Sequence, residues 1–223
     1  MPNGSDKMQQ SIQEMMSERT LVLIKPDAVK RALVGVICQR FERVGMKIAA
    51  CKMLIPSQEQ LDGHFAGSED WIRGMGEKTL AAYSEQGIDP MEVLGTNDPA
   101  VIGQRIKGWN FNYLSLGPVV AVVLEGVHVV ATVRKMVGNT LPYKAAPGTI
   151  RGDFSINSPD LANLVGSACK NVVHASGTVD EARHEIANWF APSEVCEWER
   201  ADEFIHFVQG KSSQHPTKKE IGS

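Results

Sequence analysis

An α/β (α+β) fold, a four-stranded antiparallel sheet with helices, is predicted by three features of the chain. Four short apolar runs, at residues 20–24, 46–55, 118–125 and 172–173, have strand length and composition. Segments with apolar residues at helical spacing separate them. Capping-box patterns mark where two of those helices begin. The core order is strand, helix, strand, helical insert, strand, helix, loop, strand, helix. That order suits a ferredoxin-like sheet with helices on one face.

Thr20-Leu21-Val22-Leu23-Ile24 is the first strand, and Lys25-Pro26-Asp27 ends it, because proline cannot continue the ladder and turns the chain. Leu33, Val36, Ile37, Phe41 and Val44 then fall on one helical face, with Gly45 as the cap. Residues 46–55 form the second strand. Ser57-Gln58-Glu59-Gln60 opens a helix through Leu61 and Phe65. Residues 118–125 are apolar nearly throughout, which fits a central strand. A helix follows over 127–137, ended by Gly138. Val172-Val173 is a short fourth strand. Thr178-Val179-Asp180-Glu181 is a second capping box, starting a helix with Val179, Ala182, Ile186 and Trp189 on one face.

Two segments stand outside this core. Residues 68–111 carry helical patterns of their own, in Trp71, Ile72, Met75 and Tyr83 and again in Ile102, Ile106 and Trp109, around the turn cluster Gly95-Thr96-Asn97-Asp98-Pro99. Residues 154–170 form a long loop. The organisation expected is a peripheral extension over 1–18, one domain over 19–209 with inserts near 68–111 and 154–170, and a flexible tail over 210–223. The extension has few sizeable apolar side chains, Ile12, Met15 and Met16 among them, and no continuous apolar core, so it does not read as a secretory signal.

Composition excludes several classes. The chain has 223 residues, 43% hydrophobic and 22% charged, an ordinary globular balance. A net charge of −3 offers no basic footprint for nucleic acid or a membrane surface. The longest purely apolar run, Val119 to Leu124, is far short of the ~18–20 residues of a membrane span. Cys38, Cys51, Cys169 and Cys196 form no CxxC pair and read as reduced thiols of a cytoplasmic protein.

Chemistry concentrates late in the chain. Thr149-Ile150-Arg151-Gly152-Asp153 precedes Asn171-Val172-Val173-His174-Ala175-Ser176, placing a guanidinium, an amide and an imidazole around the end of a strand. With an ordinary pKa of ~6.5, an imidazole is a competent nucleophile at neutral pH, and guanidinium groups suit a multiply charged phosphate. Phosphoryl transfer through a phosphohistidine on His174 is the chemistry this suggests. Glu185, beside the Ala182, Ile186 and Trp189 stripe, is placed to orient that imidazole, with Ser176 supporting it. Arg134 shares a helical stripe with Val130 and Val137, where a phosphate would be a partner. Thr140 lies just beyond Gly138, where its hydroxyl either donates to a phosphate or stabilises a turn. For Arg151 the competing role is an ion pair with Asp153 or another carboxylate. His64, His128, His184, His206 and His215 have no comparable surroundings and read as surface or structural.

Ile24-Lys25-Pro26-Asp27, Val133-Arg134-Lys135, Gly138-Asn139-Thr140, Ala145 through Asp153 and Asn171 through Ser176 resemble the successive signatures of nucleoside diphosphate kinases. The similarity runs from about Arg19 to Phe190, interrupted by the two inserts. The resemblance implies transfer of the γ-phosphate of a nucleoside triphosphate to a nucleoside diphosphate in a ping-pong cycle, with His174 phosphorylated and Glu185 orienting it. It implies that Lys25 and Asn171 contact the ribose hydroxyls and end phosphate, while Arg134, Thr140 and Arg151 hold the phosphates. Mg2+ would arrive with the nucleotide, no protein metal site being implied, and the chain would be a homo-oligomer, hexameric or tetrameric. The alternative is a non-catalytic nucleotide-binding or interaction protein on the same fold.

Three departures from that pattern stand out. Phe65 occupies the place of a tyrosine that follows a histidine, removing a hydroxyl. Ala175 replaces a glycine after the catalytic histidine, which counts against a positive φ there. The base-stacking aromatic falls near Ile106, with Trp109 close by, so the base platform stays unassigned.

Overall fold

The structure, a computed structural model, describes residues 18–65 and 67–201. The expectations for most of the N-terminal extension and for the C-terminal tail lie outside those residues. The elements are β1 (Arg19–Ile24), α1 (Pro26–Lys30), α2 (Val34–Arg43), β2 (Lys47–Leu54), α3 (Gln58–His64), α4 (Glu69–Gln86), α5 (Pro90–Leu94), α6 (Pro99–Leu114), β3 (Val119–Glu125), α7 (Val129–Val137), α8 (Ile150–Phe154), α9 (Pro159–Leu164), β4 (Val173–Ala175) and α10 (Val179–Trp189). The four strands pair antiparallel in the order β2-β3-β1-β4. Pro26 does end the first strand, and it does so as the first residue of α1, a position where a missing N–H costs nothing.

Helices cover both faces of this sheet, not one. Alternate side chains of the central strands, Val22, Ile24, Val120, Val122 and Leu124, meet Ile37 and Phe41 of α2 and Val129, Val133 and Val137 of α7. The opposite set, Leu21, Leu23, Ala121 and Val123, meets Leu61 of α3, Leu114 of α6 and Trp189 of α10. Every residue of β3 is buried. A strand apolar at consecutive positions leaves neither face fit for water, so a second helical layer has to close over it.

Local signals set the helix starts. Ser57 and Gln60 form the expected reciprocal capping box. At α10 the box is shifted: Thr178 caps the Glu181 N–H, but the Glu181 carboxylate takes the N–H of Gly177 at 2.8 Å, one residue earlier than expected. Glu18 is built into the fold, its carbonyl and carboxylate accepting the Gly126 and Val130 N–H groups.

The insert is a helical hairpin with a small core of its own, Tyr83, Leu94 and Ile102. Two glycines let α4 and α6 touch backbone to backbone. A Cβ on Gly76 would lie 1.9 Å from the Pro99 carbonyl oxygen, and one on Gly103 would lie 1.8 Å from that of Ile72. Trp71, expected on the apolar face, is 43% exposed. The end of α6 leaves the hairpin and packs Leu114 under the sheet, which ties the insert to the main core.

Candidate active site

Short β4 carries His174 opposite Leu23 of β1. The imidazole turns Nε2 inward, 2.7 Å from Glu185 Oε1 on α10. The approach is close without the alignment of a formed hydrogen bond, and Nε2 itself is closed to solvent. The side chain keeps 24% exposure, none of it at Nε2, so its open surface lies elsewhere on the ring. Ser176 donates to Glu185 Oε2 at 2.6 Å and accepts from the Leu21 N–H at 3.3 Å, supporting the carboxylate as expected. Burial holds the Glu185 carboxyl above its ordinary pKa. Burial first, then the nearby Lys25, Arg151 and Arg134 cations, push the His174 imidazole well below its ordinary range. The ring is therefore unprotonated at neutral pH.

The cationic side of the cleft is a network. Lys25, at the end of β1, donates to Asn171 Oδ1 at 2.7 Å, and Asn171 Nδ2 donates to the Thr140 carbonyl at 3.0 Å. Arg151 forms no ion pair with Asp153, which Arg40 engages instead. Its guanidinium donates to three backbone carbonyls, of Val173 at 2.8 Å, Gly138 at 2.9 Å and Asn171 at 3.3 Å. Burial, then Arg134, lower it to about 10, still charged at neutral pH. Arg134 makes one long contact, 3.4 Å to the Ala175 carbonyl, and is otherwise open. Thr140 is exposed at the rim.

Backbone strain falls next to the nucleophile, though not at Ala175, which lies in β4. Val172 holds φ at 60°, a conformation costing a β-branched residue ~1–3 kcal/mol. Its carbonyl accepts the Lys25 N–H at 2.9 Å. The strained residue thus joins the lysine and histidine strands.

Two residues of this site were not expected. His64 is not on the surface: its side chain is buried, its ring edge-on to His174 with centroids 4.6 Å apart and Nδ1 3.4 Å from Glu185 Oε1. Leu61 is a core residue of the same helix, and His64 follows at i+3 on the same face, a readable signal. Tyr113 donates to Asp27 and lies under the Lys25 ammonium, 5.1 Å from ring centroid to Nζ. It continues the Ile106, Trp109 stripe at i+7. Ile106 and Trp109 themselves pack against the insert's small core. Phe65 packs against His64 and Phe111.

A family model described as nucleoside diphosphate kinase matches residues 18–72 and 109–195. The chain belongs to the nucleoside diphosphate kinase family. The segment the model skips, 73–108, holds most of the α4–α6 hairpin. A nucleoside diphosphate kinase of Pyrobaculum aerophilum is 50% identical over 183 residues, 82% of this chain and 100% of that protein. The crystal structure of an NDP kinase from the same organism matches with a TM-score of 0.78 at 48% identity, covering 81% of this chain and all of that one. A transition-state mimic of the Borrelia burgdorferi enzyme with bound vanadate and ADP matches with a TM-score of 0.69 at 34% identity, covering 87% and 99%. The fold of this kinase is accordingly the family's ferredoxin-like α/β sheet, and its chemistry is phosphate transfer between nucleotides.

Proposed function

We propose that this kinase works by a ping-pong cycle through a phosphohistidine on Nδ1 of His174. The observation that carries this reading is the asymmetry of that ring, with Nε2 shut in against Glu185 and the other edge open among three cations. The Nδ1 lone pair attacks the γ-phosphorus of a bound triphosphate as its bond to the β–γ bridging oxygen breaks, and the diphosphate departs with that oxygen. A second diphosphate then attacks the phosphohistidine, restoring the free imidazole. The proton on Nε2 stays in place, and Glu185 opposes the positive charge that develops on the ring. Arg134 and Thr140 face the open rim and hold phosphate oxygens. Lys25 and Asn171 hold the ribose and end phosphate, while Arg151, held by three carbonyls, supplies fixed positive charge. Catalysis is then mainly positioning and charge stabilisation, since phosphoryl transfer leaves little covalent work to the protein.

Mg2+ enters as part of the nucleotide substrate. Among the described residues the one cluster of potential ligands is His64, His174 and Glu185, a nitrogen-rich set unsuited to a hard oxygen-seeking cation. The insert and the 154–170 segment, which is not one long loop but carries the helix α9, flank the nucleotide entrance. Glu85 and Gln86 of α4 contact Lys144 and Tyr143 beyond Thr140, at 3.0 and 3.4 Å, and Tyr83 accepts from Asn163 of α9 at 2.7 Å. The working form in this reading is a homo-oligomer, hexameric or tetrameric, in the cytoplasm. Initial-rate kinetics test the cycle: double-reciprocal plots at several diphosphate concentrations should be parallel, and intersecting lines would reject a phosphoenzyme intermediate.

A further inference from the structure

Behind the nucleophile, three polar atoms from three elements converge where water does not reach. His64 Nδ1 of α3 and His174 Nε2 of β4 lie 3.4 and 2.7 Å from the same oxygen, Glu185 Oε1 of α10. The possible ligand atoms of the three residues all lie within 4.8 Å of one another. The His64 and Glu185 side chains are each only 4% exposed. None of the three atoms is well satisfied. His174 Nε2 has no hydrogen-bond partner, and His64 Nδ1 has one long donor, Trp189 Nε1 at 3.4 Å. The hydrogen bond from Ser176 goes to the other oxygen of Glu185. Under-paired polar atoms this deep are uncommon and call for an ion, a water or a chemical role.

We propose that His64, His174 and Glu185 form a three-ligand site for a borderline transition-metal cation, Zn2+ or Co2+, whose binding reversibly inhibits the kinase. Two imidazoles and one carboxylate are a donor set such cations favour, at bonds of ~2.0–2.2 Å. Tetrahedral bonds of that length put ligand atoms roughly 3.4 Å apart. The His64–Glu185 distance already has that value, the His174–Glu185 distance must open by about 0.7 Å, and the two imidazole nitrogens, within 4.8 Å of each other, must close toward it. Mg2+, which prefers oxygen ligands and its own waters, does not compete there. The metal would replace the proton on Nε2, draw electron density from Nδ1 and pin Glu185, so the nucleophile is weakened without the nucleotide site being blocked. Binding rests on this geometry alone. Inhibition rests in addition on the proposed role of His174.

The test is titration of the full chain with Co2+ in the absence of nucleotide, followed by the visible bands of tetrahedral Co2+ and by phosphotransfer. One equivalent should bind, with activity lost in parallel and restored by EDTA. His64→Gln, which keeps size and polarity, and His64→Ala should each weaken Co2+ binding by at least the roughly 10–100-fold seen for lesser changes around metal sites. His184→Ala, an exposed histidine, should bind as wild type. Absence of binding at millimolar Co2+, binding that survives both His64 variants, or thiolate bands that vanish in Cys38→Ser or Cys51→Ser would overturn the site. Full phosphotransfer with the metal bound would overturn the inhibition. A wild-type chain without any phosphotransfer would count against the proposed cycle, and the metal titration would still read the site.

Discussion

Arg134 and Arg151 carry the same charge into the cleft, yet removing them should have different consequences. Arg151 is 4% exposed and donates to the Val173, Gly138 and Asn171 carbonyls. Hydrogen bonds from a charged group are worth ~1.5–3 kcal/mol each, so the two short ones put the loss in Arg151→Ala at roughly 3–6 kcal/mol. Against a total stability of ~5–15 kcal/mol that is a large fraction, and at ~2–4 °C per kcal/mol for a chain of this size it lowers Tm by roughly 10–20 °C. Arg134 has one contact, at 3.4 Å, so Arg134→Ala should change stability by no more than about 0.5 kcal/mol. Both variants should slow transfer by roughly 10²–10³-fold, ~2.7–4 kcal/mol of barrier, if each stabilises the moving phosphate. Lysine should rescue either only in part, because it lacks the planar fork. Thermal melts, and turnover measured well below both melting points, separate the two roles. An Arg134→Ala enzyme with near wild-type turnover, or an Arg151→Ala protein that melts like wild type, would refute the reasoning.

Burial, then Arg151, pull Lys25 down to about 7, so its ammonium is present below that pH and lost above it. kcat/KM should therefore fall as pH rises through about 7, while kcat at saturating nucleotide holds to higher pH because bound phosphate keeps the ammonium charged; Lys25→Arg should remove the decline, and a wild-type profile flat across that range would contradict it. Phe65→Tyr, restoring a hydroxyl beside His64, should fold and change turnover by less than about tenfold, or ~1.4 kcal/mol; a hundredfold acceleration at unchanged nucleotide affinity would mean the charge supplied by Lys25, Arg134 and Arg151 is not the main term. Gly76→Ala should destabilise by ~1–3 kcal/mol, since its Cβ would meet the Pro99 carbonyl, whereas Gly74→Ala, with nothing within 4 Å of the new atom, should be neutral or stabilising by up to ~1 kcal/mol; equal melting of the two would remove the close-packed hairpin.

Much of this was legible from pattern alone. The unbroken apolar run of β3 gave away a central strand, and the same run required the second helical layer that a one-face arrangement leaves out. His174, Ser176 and Glu185 could be connected because they lie on one strand, the turn after it and the next helix, a short path in sequence. His64 was hidden because α3 and β4 are more than a hundred residues apart and only the fold brings them into contact, although the Leu61 face pointed there. Tyr113 was hidden by the insert, which disguises the last turns of α6 as part of a separate hairpin. The three carbonyl partners of Arg151 could not be read at all, since backbone acceptors leave no trace in residue identity.

The most direct test of the central claim is the fate of the γ-phosphate. Incubation of the full chain with γ-labelled ATP and Mg2+, without acceptor, should leave about one acid-labile, alkali-stable phosphate per chain, located on Nδ1 of His174 and discharged by added diphosphate. His174→Ala should carry none and transfer none, because no atom remains to accept the phosphorus. Substantial label on His174→Ala, or phosphotransfer by wild type with no labelled enzyme at any stage, would contradict the account.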